Sequence, residues 1–117
     1  MKLSELISSV EADVLTVQAS RDAEISGIYA GDRISDLLNH GTAETLLVTN
    51  LTGVPVLRVA ELMEVAALCL LNGIHPGPGL IRAAEEHGAA VLVSPFNMFE
   101  TCGRLFECFD AVSEMRR

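Results

Sequence analysis

Residues 45–94, TLLVTNLTGVPVLRVAELMEVAALCLLNGIHPGPGLIRAAEEHGAAVLVS, contain three apolar runs separated by two helical patterns. The runs TLLVTN (45–50), VAALCLLN (65–72) and AAVLVS (89–94) are hydrophobic almost to their last residues, which is typical of strands covered on both faces. The intervening PVLRVAELME and GLIRAAEEHG have apolar residues at helical spacing, and Gly88 is a typical helix stop. This alternation predicts an α/β fold: a layered sheet, mostly parallel or mixed, with flanking helices.

Shorter patterns extend the alternation toward the N-terminus. LSELISSV (3–10) predicts an amphipathic helix, DVLTVQ (13–18) predicts a strand that buries its valine and leucine side chains, and EISGIYAGD (24–32) is extended and broken by glycines. DRISDLLNHG predicts a short helix that has Asp32 as its N-cap and ends before Gly41.

The last predicted helix begins near Asn97 and carries a wide apolar stripe. Asn97 followed by Glu100 is typical of a capping box, in which side chains bind the free N–H groups of the first turn. The apolar residues recur at intervals of three and four: Met98, Phe99, Cys102, Leu105, Phe106, Phe109 and Val112. This spacing predicts a face that is buried in the core or in an interface.

Length and composition predict one domain over residues 1–117. A chain of 117 residues can bury a core without metal or disulfide support. Half of the residues are hydrophobic and 21% are charged, so a domain of this size leaves apolar area on its surface, and a contiguous patch of such area is usually an interface. We therefore expect a homodimer or a larger homo-oligomer.

Charge and segment lengths disfavour two classes of partner. The net charge of −8, with no cluster of Lys or Arg, repels nucleic acid and acidic membranes. No apolar run approaches the roughly 20 residues of a membrane helix, and no secretory signal is recognisable. We expect a cytoplasmic protein with neither partner.

The three cysteines, Cys69, Cys102 and Cys108, show no CxxC or Cys/His spacing. An odd number without such spacing supports neither a disulfide framework nor a zinc site. We therefore expect reduced thiols, no metal and no cofactor.

The polar ends of the predicted strands indicate where a ligand could bind. Right-handed crossovers place the carboxyl ends of neighbouring parallel strands along one edge of a sheet, where helix N-termini attract anions. A nucleotide or a phosphorylated metabolite is a plausible ligand there. The candidate contacts are Asp32, Arg33, Thr49, Asn50, Thr52, Asn72, Gly73, His75, Ser94 and Asn97. Ser, Thr, Asn and Gly are also ordinary loop and cap residues, so each has a structural alternative.

The segment NGIHPGPG (72–79) does not match a known phosphate motif. No Lys-Ser or Lys-Thr follows it and it lacks GxGxxG spacing. No nucleophile, base or pair of carboxylates is marked by spacing, so we predict no catalytic residues. A small enzyme that uses His75 with Asn50, Asn72 or Ser94 is the least favoured alternative.

Several stretches together resemble the DRTGG domain family along essentially the whole chain. They are ISGIYAGDRISDLL, TLLVTN, LCLLNGIHPGPGLIRAAEEHGAAVLVSP and MFETCGRLFE. The likeness is greatest to short stand-alone members, which have a pattern matched by Tyr29, Asp32 and Ser35, and a final-helix pattern matched by Phe99, Glu100, Gly103 and Leu105. Asp32 and Arg33 match the Asp-Arg pair of the family name. Its Thr-Gly-Gly falls at Leu71, Asn72 and Gly73, where only the last glycine is kept.

The resemblance implies a fold similar to the N-terminal domain of HPr kinase and a role without catalysis. Relatives of the DRTGG domain accompany CBS domains in regulated pyrophosphatases and also occur in phosphotransacetylases. In these proteins they resemble modules that regulate activity or promote oligomerisation. We therefore expect a regulatory or sensory module that binds a small ligand and acts as a homo-oligomer or through a protein partner. A purely structural subunit of a larger assembly is the alternative.

Overall fold

The computed structural model describes residues 1–17 and 22–115, with side chains as far as residue 111. The helices of this part are α1 (Leu3–Ser9), α2 (Ile34–His40), α3 (Val54–Met63), α4 (Pro78–His87) and α5 (Met98–Met115). The strands are β1 (Asp13–Val14), β2 (Gly27–Ala30), β3 (Thr45–Thr49), β4 (Ala67–Leu70) and β5 (Ala90–Val93).

The strands form one mixed sheet in the order β1-β5-β4-β3-β2. β2 to β5 are parallel and lie side by side in chain order, whereas β1 pairs with β5 in the antiparallel sense. The three apolar runs contain the three central strands, β3, β4 and β5. Every residue of these strands is buried. This confirms the predicted α/β fold with a mixed sheet.

Each face of the sheet has its own hydrophobic layer. Leu46 and Val48 of β3 pack with α1 and α5 on one face, and Leu47 between them packs with α2, α3 and α4 on the other. Successive side chains of a strand point to opposite faces, so a run buried along its whole length needs both layers. The two apolar clusters explain why the central strands lack polar alternation.

The connections leave the carboxyl edge of the sheet in two directions. The chain after β2, β3 and β4 leads to α2, α3 and α4 on one face, whereas the chain after β5 leads to α5 on the other. The carboxyl ends of β4 and β5 therefore lie where neighbouring connections diverge. In open α/β sheets such a divergence is the usual place of a ligand crevice.

The structure confirms two predicted helix ends and corrects the predicted first strand. α2 ends before Gly41, and α4 ends at Gly88, whose φ of 76° is left-handed. The predicted strand over 13–18 is wrong in length: β1 has two residues, and Val17 is 87% exposed, with its N–H donating to Glu85. Gln18 lies outside the described residues.

Only part of the predicted apolar stripe of the last helix lies in the core. Leu105 is buried, whereas Phe99 and Phe106 are 87% and 70% exposed. A helix with apolar residues on more than half of its circumference cannot bury all of them against one sheet. The Val112 side chain lies outside the described ones. Within the described part of the chain, no helix combines the length and the apolar character that a membrane crossing needs.

Candidate functional site

The carboxylate of Asp32 joins the ends of β2 and β3. Its Oδ1 accepts a hydrogen bond from Thr49 Oγ1 at 3.1 Å and from the Asn50 backbone N–H at 2.7 Å. Its Oδ2 accepts from Asn50 Nδ2 at 3.0 Å. Three donors from the neighbouring strand end therefore hold one carboxylate in a fixed orientation.

These bonds also correct the predicted role of Asp32 at α2. The N-cap of that helix is Arg33, and no side chain caps it. Asp32 instead turns toward the loop after β3, where two side-chain donors and one backbone donor are available. The prediction of an N-cap was wrong because the competing partners lie 17 and 18 residues further along the chain.

The same three donors lower the pKa of Asp32. Burial by itself raises this pKa, but the hydrogen bonds from the Asn50 backbone, the Asn50 side chain and Thr49 outweigh it. Hydrogen bonds to the charged form stabilise that form. Asp32 therefore carries a negative charge at neutral pH.

Asn72 extends the array to the end of β4. Its Nδ2 donates to Asn50 Oδ1 at 3.1 Å, so the side chains of Asp32, Asn50 and Asn72 form a chain across three parallel strands. We call these three residues the edge array. Asn72 has a φ of 59°, and Gly73 follows with a φ of 66°. Asparagine tolerates this left-handed region better than most residues that have a Cβ.

The loops after β4 and β5 are fastened to each other. Asn72 N–H donates to the Phe96 carbonyl at 2.8 Å, and Gly73 N–H donates to the Ser94 carbonyl at 2.9 Å. These two bonds join the connections at the point where they diverge toward opposite faces. They fix the backbone of Asn72 and hence the position of its amide.

A cleft of about 350 Å³ lies between the beginnings of α3 and α4. Its lining includes Thr52, Gly53, Leu57, Gly77, Gly79 and Leu80. Gly53 and Gly77 are the N-caps of the two helices, and neither helix is capped by a side chain. Two helix N-termini, each with a partial positive charge, therefore open into one cleft.

The structure brings together four of the ten predicted site residues and places a fifth in the cleft. Asp32, Thr49, Asn50 and Asn72 share the hydrogen bonds above, and Thr52 lines the cleft. Gly53, Gly77 and Gly79 were absent from the predicted set. The density of glycine in NGIHPGPG was the signal for the last two, because glycines keep a cleft open.

The other five predicted residues have different surroundings. Arg33 is exposed and lies 3.8 Å from Asp36, His75 is exposed in its loop, and the Gly73 N–H is used by the loop bond. Asn97 Oδ1 accepts from Glu100 N–H at 2.9 Å, which confirms its predicted capping role.

Ser94 is fully buried at the end of β5. Its hydroxyl donates to the Val10 carbonyl at 3.1 Å and lies 3.2 Å from Thr101 Oγ1. These contacts connect the sheet to α1 and α5 rather than to the edge array.

The described thiols and acids do not cluster. Cys69, Cys102 and Cys108 are free, and within residues 1–17 and 22–115 no three His, Cys, Asp or Glu side chains are placed to hold a metal ion. Burial raises the pKa of Cys69 to about 12, and the neighbouring Cys102 adds to that shift. The Cys69 thiol is therefore protonated at neutral pH.

Comparison with known proteins gives a similarity of fold. No protein-family model matches the chain, and no curated protein matches it by sequence. Among solved structures it is similar to the CBS and DRTGG domains of the regulatory region of a Clostridium perfringens pyrophosphatase, crystallised with the activator diadenosine tetraphosphate. The TM-score is 0.76 at 12% identity, over 92% of this chain and 46% of that chain.

This chain therefore shares its fold with part of that CBS/DRTGG structure and spans about half the length of that structure's chain. The likeness is to a regulatory region, and it agrees with the fold expected from the sequence resemblance.

Proposed function

We propose that this chain is a non-catalytic regulatory module that binds a small anionic, nucleotide-like ligand at the carboxyl edge of its sheet. The observation that carries the proposal is the edge array, a hydrogen-bonded chain of Asp32, Asn50 and Asn72 across three strand ends, and the cleft between α3 and α4 is the second element of the proposed site. The module works in the cytoplasm as a homo-oligomer or through a protein partner. Three free thiols are in keeping with a reducing compartment.

The two parts of the site suit different parts of a nucleotide. Uncapped helix N-termini offer backbone N–H groups and a partial positive charge to a phosphate, and the glycines of the cleft leave room for it. Each amide NH₂ of Asn50 and Asn72 has a second hydrogen that the edge array does not use. Such amides can donate to the acceptors of a base or a sugar.

The Asp32 carboxylate orients the array. Its three hydrogen bonds come from the protein itself, so its negative charge is stabilised without a ligand, and it holds Asn50 in place. The resemblance in fold to a regulatory region crystallised with a nucleotide activator supports the same class of ligand.

Thermal unfolding tests the proposal with inorganic phosphate, AMP, ADP, ATP and diadenosine tetraphosphate as separate probes. A ligand at 100 times its Kd adds about 2.7 kcal/mol to the free energy of unfolding, which raises the Tm of a domain of this size by on the order of 10 °C. We expect such a shift with at least one nucleotide. No shift with any probe would overturn the proposal.

Two variants locate the site. Gly77→Leu fills the cleft, since Gly77 has ordinary extended angles and a Cβ built there meets nothing within 4 Å. Asn72→Gly removes the amide but keeps the left-handed backbone. Both should fold and lose the nucleotide shift, whereas Asn39→Ala, at an exposed position of α2, should retain it. A shift retained in Gly77→Leu would exclude the cleft as the ligand site. If the protein turned the nucleotide over and His75→Ala abolished this turnover, the enzyme alternative would be favoured instead.

A further inference from the structure

Within residues 1–17 and 22–115, no strand pairs with the outer side of β2. β2 pairs with β3 on one side only, and its four residues, Gly27–Ala30, are all half-exposed. The N–H groups of Gly27 and Gly31 donate to β3 carbonyls or to the residue before β3. The alternation of a parallel ladder therefore turns the backbone groups of Ile28 and Ala30 to the open side. Proteins usually protect such an edge with Lys, Pro or a bulge, and Gly27–Ala30 has neither Lys nor Pro.

An apolar groove runs beside this edge. It has a volume of about 340 Å³ and is lined by Ile28, Ala30, Cys102, Leu105, Phe106 and Phe109. Phe106 is 70% exposed in this groove, whereas Phe99, which is 87% exposed, lines a separate hollow with Ser9 of α1 and Arg104. The flank of α5 that faces this edge is therefore apolar, and none of the side chains that the structure describes covers it.

We propose that a second copy of this chain covers this face, with the two β2 strands antiparallel about a twofold axis and the two α5 helices side by side above them. A twofold axis normal to the sheet pairs a strand with its own copy in the antiparallel sense, and it keeps both α5 helices on the same face. One symmetry operation thus satisfies both the open backbone groups and the exposed Phe106, as an isologous interface requires. The inference goes beyond the ligand-binding proposal and does not depend on it.

The charges at the two ends of β2 suit this arrangement. Glu44 lies at the amino end, where Ser26 Oγ donates to its carboxylate at 3.2 Å. Arg33 lies just beyond the carboxyl end and its side chain is 81% exposed. Antiparallel pairing brings the amino end of one strand to the carboxyl end of the other, so each Arg33 comes near Glu44 of the second copy.

The area of a stable dimer sets how much of this face must be covered. A buried phenylalanine removes on the order of 150 Å² from water, so the two copies of Phe106 supply ~300 Å². A stable interface needs ~1,200–2,000 Å² in total, so the proposal requires the groove walls and the paired strands to supply most of it. A helix pair without strand pairing would leave the interface near the area of a weak contact.

Sedimentation equilibrium of the ligand-free protein over a concentration series tests the proposal. We expect twice the 12.5 kDa of one chain, and a monomer for Phe106→Glu with unchanged circular dichroism. The matched control is Leu62→Glu, because Leu62 is 73% exposed on α3, on the other face, and this variant should remain a dimer. A wild type that is monomeric throughout, or a dimer that survives Phe106→Glu, would overturn the proposal.

Two further measurements test the orientation. Arg33→Glu and Glu44→Arg should each raise the dimer Kd about tenfold, and the double variant should restore it; failure of the double variant to do so contradicts antiparallel pairing. Hydrogen exchange at the amides of Ile28 and Ala30 should be slow in the wild type and at least tenfold faster in Phe106→Glu. Equal exchange rates in the wild type and in Phe106→Glu would exclude the β2 edge from the dimer interface. These measurements use ligand-free protein, so their outcomes do not bear on the thermal shift that tests nucleotide binding.

Discussion

The Asp32 carboxylate accepts the backbone N–H of Asn50 at 2.7 Å and the Asn50 side-chain amide at 3.0 Å. One aspartate thus fixes both the backbone and the side chain of the residue that ends a neighbouring strand. Asn50 in turn accepts from Asn72. The geometry of the proposed ligand site therefore depends on Asp32, although Asp32 itself is satisfied by the protein.

Replacing this carboxylate should weaken both the fold and the site. Hydrogen bonds to a charged group contribute roughly 1.5–3 kcal/mol, but Asp32 is exposed, so we expect Asp32→Asn to lower the free energy of unfolding by about 1 kcal/mol. Urea denaturation measures this loss. Asp36→Asn is the control, because Asp36 is only 3.8 Å from an exposed Arg33 and should cost less than about 0.5 kcal/mol. Equal losses in the two variants would contradict a special role for Asp32.

The effect of Asp32 on stability should depend on pH with a defined sign. Its pKa is lowered in the folded state, so its contribution is present above the unfolded value of about 3.9 and is lost as the pH falls through the lower folded value. The difference in unfolding free energy between wild type and Asp32→Asn should therefore be constant from about pH 7 to pH 5 and shrink below about pH 4. Urea denaturation at a series of pH values measures it; a difference that grows toward acid would reverse the assigned sign.

The left-handed backbone of Asn72 predicts an order of stabilities. With a φ of 59°, alanine at this position costs roughly 1–2 kcal/mol, whereas glycine adopts the angle freely. Asn72→Gly should therefore be more stable than Asn72→Ala, although both lose the bond to Asn50. Chemical denaturation of the pair separates backbone strain from the side-chain bond. If alanine proved the more stable of the two, the left-handed conformation would be wrong.

The central strands could be predicted from the sequence. All of their residues are buried, so each strand is a continuous apolar run that can be recognised without knowing which face each side chain occupies. It could not predict which face of α5 packs. Phe99 and Leu105 are equally apolar and both fit a helical period, yet one is exposed and the other buried. The bonds of Asp32 were equally hidden, because they join loops that are distant in the chain and meet only once the sheet has formed.

Ser94 should matter for stability rather than for ligand binding. Its buried hydroxyl bonds to the Val10 carbonyl and accepts the Phe96 N–H at 3.3 Å. Ser94→Ala leaves these groups without that partner, which costs about 1–3 kcal/mol. Ser8, at an exposed position of α1, is the control, and Ser8→Ala should be nearly neutral. Both variants should keep any nucleotide shift; its loss in Ser94→Ala alone would place Ser94 at the ligand.

The raised pKa of Cys69 predicts both low reactivity and a loss of stability in alkali. Burial and the neighbouring Cys102 raise this pKa to about 12, so at pH 8 the Cys69 thiolate is scarce and iodoacetamide should label Cys69 only after unfolding. The folded state favours the protonated thiol. The contribution of the Cys69 thiol to the free energy of unfolding is therefore complete below the unfolded pKa of about 8.5 and is lost as the pH rises toward 12. The excess stability of the wild type over Cys69→Ala should shrink over this range in urea denaturation, whereas an excess that stays constant, or labelling of the native thiol, would contradict the buried, protonated state.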